Sequence, residues 1–111
     1  MNKEILNFIG LMNRAGALIT GTELVLNGVR NKKVKLVLID ASVSENTLKK
    51  VTDKCNYYNT TYILLQTDAD LGFIIGNSSR KIAGITDQNF VKALQEKLNQ
   101  LYRGGLSNEN T

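Results

Sequence analysis

The chain is 111 residues long, with 14 Lys and Arg against 10 Asp and Glu, a net charge of +4 and a pI near 9.3. That length holds one domain with a real core, and the modest cationic bias leans toward anionic partners without forming a polybasic tail. The absence of histidine and the presence of a single cysteine, Cys55, exclude a Cys/His zinc site, Ser–His and Cys–His nucleophile pairs and an intrachain disulfide, so neither a metal nor a cofactor is expected. Met1-Asn2-Lys3-Glu4-Ile5 lacks the apolar core of a signal peptide and no apolar run reaches membrane-spanning length, which points to a soluble, cytoplasmic protein.

In chain order, Ile5, Ile9 and Met12 recur at helical spacing over residues 3–14, and Ala15-Gly16 marks the stop. Leu18-Ile19-Thr20 is a short extended piece. Thr20 stands three residues before Glu23, a capping-box spacing for a second helix over 21–31 with Leu24, Val25, Gly28 and Val29 inward. Val34–Ile39 is apolar apart from Lys35, as in a strand covered on both faces. Ser42-Val43-Ser44-Glu45 offers another capping box, opening a helix with Leu48, Val51 and Cys55 inward and Lys49, Lys50, Asp53 and Lys54 outward.

Thr61–Leu65 reads as the next strand, and Thr67 or Asp68 caps a short helix carrying Leu71, Ile74 and Ile75 up to Gly76. Arg80–Ile85 is a further strand. Thr86-Asp87 opens a last helix with Phe90, Leu94, Leu98 and Leu101 on one stripe. Helices alternating with short buried strands predict a three-layer α/β/α sandwich with parallel strand pairs, in which Val34–Ile39 is central. Residues 1–103 form the single domain, and the polar, glycine-led 104–111 segment is expected to be a flexible tail.

Two places carry binding chemistry. Gly21 opens a helix, whose exposed N–H groups and positive dipole end suit phosphate, and Arg30, Lys32, Lys33 and Lys35 cluster beyond its end. Gly76-Asn77-Ser78-Ser79-Arg80-Lys81 is small, polar and then basic, a composition that can serve phosphate oxygens through hydroxyls and cations. Lys49, Lys50 and Lys54 read as a solvated helix face, and Tyr57-Tyr58, which could stack bases, read as aromatics covering the core near a helix end. Asp40, at the carboxyl end of a strand, is the one candidate for enzymatic chemistry. It lacks the acidic pair a phosphoacceptor needs, and no Walker or dinucleotide glycine motif occurs, so no catalytic residue is expected.

Asn13-Arg14-Ala15-Gly16, Gly21-Thr22-Glu23-Leu24-Val25-Leu26, Lys35-Leu36-Val37-Leu38-Ile39, Ser44-Glu45-Asn46-Thr47, Asp53-Lys54-Cys55-x-Tyr57-Tyr58, Leu71-Gly72-x-x-x-Gly76 and Ile85-Thr86-Asp87 occur in an order and spacing that resembles the ribosomal L-seven-Ae/L-thirty-e superfamily, over about residues 5–100. Its small bacterial stand-alone members look most similar. The resemblance implies an α/β/α sandwich around a small four-stranded mixed sheet, with kink-turn RNA, ribosomal or regulatory, as partner. It implies that the second helix reads tandem sheared G·A pairs while the loop before the last strand supports a flipped-out nucleotide. On this sequence the RNA-binding residues would be Gly21, Thr22, Glu23, Asn27, Arg30, Lys33, Asn77, Ser78, Ser79, Arg80 and Lys81.

The chain departs from that pattern at defined positions. The family's Asn-Glu pair falls on Glu23 and Leu24, its helix lysine on Asn27, and the lysine after the first helix on Ala17. Ala41 replaces an acidic residue, Asp68 a lysine near the flipped base, and Asn77 a residue that is often basic. Two lost lysines mean fewer phosphate contacts and a shallower salt dependence. The expectation is a non-enzymatic, monomeric RNA-binding protein. The alternative is a protein–protein adaptor that keeps the fold with weakened or lost RNA binding, favoured if Leu24 is exposed.

Overall fold

The computed structural model describes residues 3–65, 71–77 and 80–106, the last six as helical backbone. The described elements are α1 (Lys3–Arg14), β1 (Leu18–Thr20), α2 (Thr22–Arg30), β2 (Leu36–Asp40), α3 (Glu45–Tyr57), β3 (Thr61–Leu65), α4 (Leu71–Ile74), β4 (Ile82–Ile85) and α5 (Gln88–Leu106). The strands form one sheet in the order β1-β4-β2-β3. β2 pairs in parallel with β3, while β4 is antiparallel to both β1 and β2. The sheet is therefore mixed, as the resemblance implies, with β2–β3 as its parallel pair. β1, β2 and β3 run one way, joined through α2 and α3, and β4 inserts between β1 and β2 in the opposite sense.

Strand alternation divides the core into two layers. Leu36 and Leu38 of β2, with Ala83 and Ile85 of β4, pack on Ile5, Ile9 and Met12 of α1 and on Val91 and Leu94 of α5. Val37 and Ile39, with Ile82, face the other way onto Val25 and Val29 of α2 and Val51 and Cys55 of α3. All five residues of β2 are buried, which explains why this run shows no polar alternation in sequence. Val34 is also buried but precedes the strand. Its side chain lies against Gly28 and Gly84, where an added Cβ would fall 2.5 and 2.8 Å from the valine methyl.

Several local expectations change in the folded chain. The Thr20–Glu23 capping box does not form. Thr20 belongs to β1, opposite Ala83, and the Glu23 carboxylate turns to Lys50 at 3.0 Å. Ser44 rather than Ser42 caps α3, its hydroxyl accepting from the Thr47 N–H at 3.2 Å, because Ser42 is held by Asp40. Asp87 caps α5 by accepting from the Asn89 and Phe90 N–H groups. The buried side of α2 is Val25, Leu26, Gly28 and Val29, and Leu24 is 60% exposed. β4 begins at Ile82, with Arg80 and Lys81 leading into it. α5 continues to Leu106, into the segment expected to be tail, and Thr67 and Asp68 lie outside the described residues.

Candidate nucleic-acid interface

The sheet order brings the two sequence-predicted regions together. The Gly21 N–H donates to the Ile82 carbonyl at 3.1 Å, which ties the start of α2 to β4. Gly21 has φ 95°, a backbone conformation that L side chains rarely adopt, and the guanidinium of Arg80 occupies the place where a Cβ would stand. Gly21, the N-cap of α2, has no side chain to cap it, and the first backbone bond of the helix runs from the Val25 N–H to the Gly21 carbonyl at 3.0 Å. The start of α2 therefore lies beside a guanidinium, and a helix N-terminus next to a cation is an arrangement that suits a phosphate.

Backbone bonds hold both Asn77 and Arg80 in place. The Asn77 N–H donates to Gly72 and the Arg80 N–H to Asn77, at 2.8 and 3.0 Å. Asn77 is exposed, and Ser78 and Ser79 lie outside the described residues. Beyond the buried Gly21 and the half-buried Thr22, the exposed residues of α2 are Glu23, Leu24, Asn27 and Arg30. Arg30 donates to the Asn27 side-chain carbonyl at 2.6 Å. Lys33 is exposed beyond the far end of the helix, after Lys32 at φ 66°. At 1.5 Å per residue, that end is about 13 Å from Gly21, so Lys33 and Arg80 sit at opposite ends of α2.

Lys81 takes a different path. Its Nζ donates to the Ser42 hydroxyl at 2.8 Å, and that hydroxyl donates to Asp40 at 2.8 Å. Asp40 is only 3% exposed and also accepts from the Ser42 and Leu71 N–H groups, at 2.9 and 3.0 Å. Burial pushes its carboxyl pKa up. The bonds from Ser42 and Leu71 and the charge of Lys81 outweigh that and hold it below the usual aspartate value. Asp40 thus ties β2 to α4 and to the strand that follows Arg80. It appears in the sequence only as a catalytic candidate, yet a carboxylate two residues before a serine at a strand end is a recognisable turn-forming pair.

Two of the departures have backbone partners in the structure. Ala17 is 6% exposed in the α1–α5 layer, and its carbonyl accepts from the Thr86 N–H at 2.9 Å. The Ala41 N–H donates to Leu65 at 3.1 Å. Among the described residues there is no group of acidic, Cys or His side chains able to hold a metal ion, and no helix long and apolar enough to cross a membrane.

Fold and site together define a small α/β/α sandwich in which the start of α2 lies against the guanidinium of Arg80. The chain belongs to the ribosomal protein L7Ae/L30e/S12e/Gadd45 family, which matches residues 3–95. It is 45% identical over 86 residues to the RNA-binding protein YlxQ of Bacillus subtilis, covering 78% of this chain and 86% of that protein. The Enterococcus faecium protein of the same name is 44% identical over 94 residues, covering 85% and 90%. Among solved structures, a Bacillus halodurans protein of unknown function superimposes with a TM-score of 0.77 at 32% identity, over 86% of this chain and 96% of that one. The Giardia lamblia 15.5kD RNA binding protein shares the fold at a TM-score of 0.71 and 22% identity, over 91% and 92%.

Proposed function

We propose that this chain is a non-enzymatic RNA-binding protein that recognises kink-turn-like structured RNA, ribosomal or regulatory, acting as a cytoplasmic monomer. The observation that carries this reading is the guanidinium of Arg80 seated on Gly21 at the start of α2. It joins a phosphate-accepting helix end to a helix face bearing Glu23, Asn27 and Arg30, whose donors and acceptors suit base edges and sugars. RNA-binding relatives at 45% and 44% identity support it. Irregular RNA is the fitting target, because the deep major groove of regular A-form helices is closed to side chains.

A salt-titrated gel shift with a kink-turn RNA tests this, against the same RNA with Watson–Crick pairs in place of the G·A pairs. Preferential binding to the kinked form is expected. Equal binding at every salt concentration would leave only non-specific electrostatics.

A second reading, a protein–protein adaptor, is favoured by one observation. Leu24 is 60% exposed beside Glu23, an apolar group on the surface assigned to RNA. The same gel shift separates the two readings, since an adaptor that has lost RNA recognition shows no preference for the kinked form.

A further inference from the structure

Lys50, Asp53, Lys54 and Tyr57 recur along α3 at spacings that align them on one side of the helix. With Tyr58 they line a shallow concavity of about 460 Å³. The two tyrosines have different fates. Tyr58 packs on the α2–α3 core layer, whereas Tyr57 is 78% exposed and meets Tyr58 edge to face with ring centroids 4.8 Å apart. Core packing therefore accounts for Tyr58 and leaves Tyr57 unexplained.

The charges around the ring are unequal. Lys50 pairs with Glu23 and Lys49 with Asp53, each at 3.0 Å. Lys54 is half-buried and meets no carboxylate among the described residues. Lys32 reaches across from the end of α2, donating to the Tyr58 carbonyl at 2.6 Å with its Nζ 5.7 Å from that ring's centroid. The tyrosine pair is thus flanked by two cations that meet no carboxylate among the described residues. Glu23–Lys50 at one end and Lys32–Tyr58 at the other hold α2 and α3 side by side. The stripe begins next to the start of α2 and reaches Tyr57 seven residues on, about 10 Å along the helix.

We propose that Tyr57, Lys54 and Lys32 form a second nucleic-acid subsite that takes a single-stranded nucleotide flanking the structured RNA, its base stacked on Tyr57 and its phosphates held by the two lysines. An exposed aromatic face beside cations is the combination that binds single strands with little sequence preference. This inference rests on the RNA-binding reading above.

The chain contains no tryptophan, so Tyr57→Trp introduces a unique fluorophore at the subsite. The full-length variant is titrated with an unstructured hexauridylate, and wild type is assayed on a kink-turn RNA with and without a single-stranded extension. Hexauridylate is expected to quench the tryptophan, with a log–log salt slope near 1.4 for two lysine contacts. Lys54→Ala should weaken that quenching. The extension should tighten kink-turn binding roughly five- to hundredfold in wild type. Tyr57→Ala should remove this gain and leave the affinity for unextended RNA unchanged.

No quenching by hexauridylate, or an extension that adds nothing to wild-type affinity, would overturn the subsite. Quenching by hexauridylate without any kink-turn preference would instead overturn the reading of the α2 surface and leave the tyrosine subsite standing.

Discussion

The guanidinium of Arg80 fills the space over Gly21 that any other residue's Cβ would need. Two consequences follow from that single contact. Gly21→Ala must strain a backbone held at φ 95° and must displace Arg80. A stability loss of about 1–3 kcal/mol is expected in urea unfolding, together with weaker RNA binding. Arg80→Ala should weaken binding with little change in stability. Because both variants disturb one contact, their effects on binding should be less than additive in the double variant.

Asn27 lies one turn from Glu23 on the exposed side of α2 and is engaged by Arg30. It can hydrogen-bond a base or sugar but cannot neutralise phosphate. Asn27→Lys should tighten kink-turn binding and steepen the salt slope by about 0.9. An unchanged slope would mean that this face does not meet RNA and would favour the adaptor reading. Ala17→Lys should instead destabilise the fold, since it places an ammonium in a buried position of the α1–α5 layer.

Asp40 holds three donors, from the Ser42 backbone, the Ser42 hydroxyl and the Leu71 backbone. Asp40→Ala should cost about 1–3 kcal/mol by leaving buried donors unpaired. Its folded pKa lies below the unfolded value. Its carboxylate therefore adds stability above about pH 4, and that stability disappears as pH falls through the folded pKa. Urea unfolding at pH 7 and pH 3 should show a smaller difference for Asp40→Asn than for wild type.

Cys55 is fully buried on α3, and burial pushes its thiol pKa up to about 11. The native thiol should label far more slowly than the unfolded one, and rapid labelling at neutral pH would contradict its placement in the core. In the unfolded chain the thiol ionises near pH 8.5. Its contribution is therefore intact below that pH and is lost as pH rises toward about 11. Cys55→Ala should remove this part of the alkaline destabilisation.

Val34 closes against two glycines, one on α2 and one on β4. Gly28→Ala should lower stability by about 1–3 kcal/mol through overpacking, measurable as a reduced urea midpoint. Combining it with Val34→Ala should recover part of the loss.

Local pattern determined which elements form and in what order. Apolar spacing marked α1 and α5, glycines marked the stops at Gly16 and Gly76, and Asp87 capped its helix because a cap needs only residues two or three positions away. The unbroken apolar run around Leu36–Ile39 already required cover on both faces, hence the three layers. Tertiary pairing decided the rest. Placing β4 between β1 and β2 drew Thr20 into the sheet, cancelled its capping box and carried Arg80 onto Gly21. Leu24 faces solvent because α2 seats Leu26 inward instead, a choice made by the surfaces of the sheet and α3. Asp40 acquired its role only when the Leu71 N–H arrived from a distant segment, and Tyr57 separated from Tyr58 only when α3 docked. Each of these outcomes depends on groups far apart in the chain, whose meeting is set by strand order and layer packing rather than by neighbouring residues.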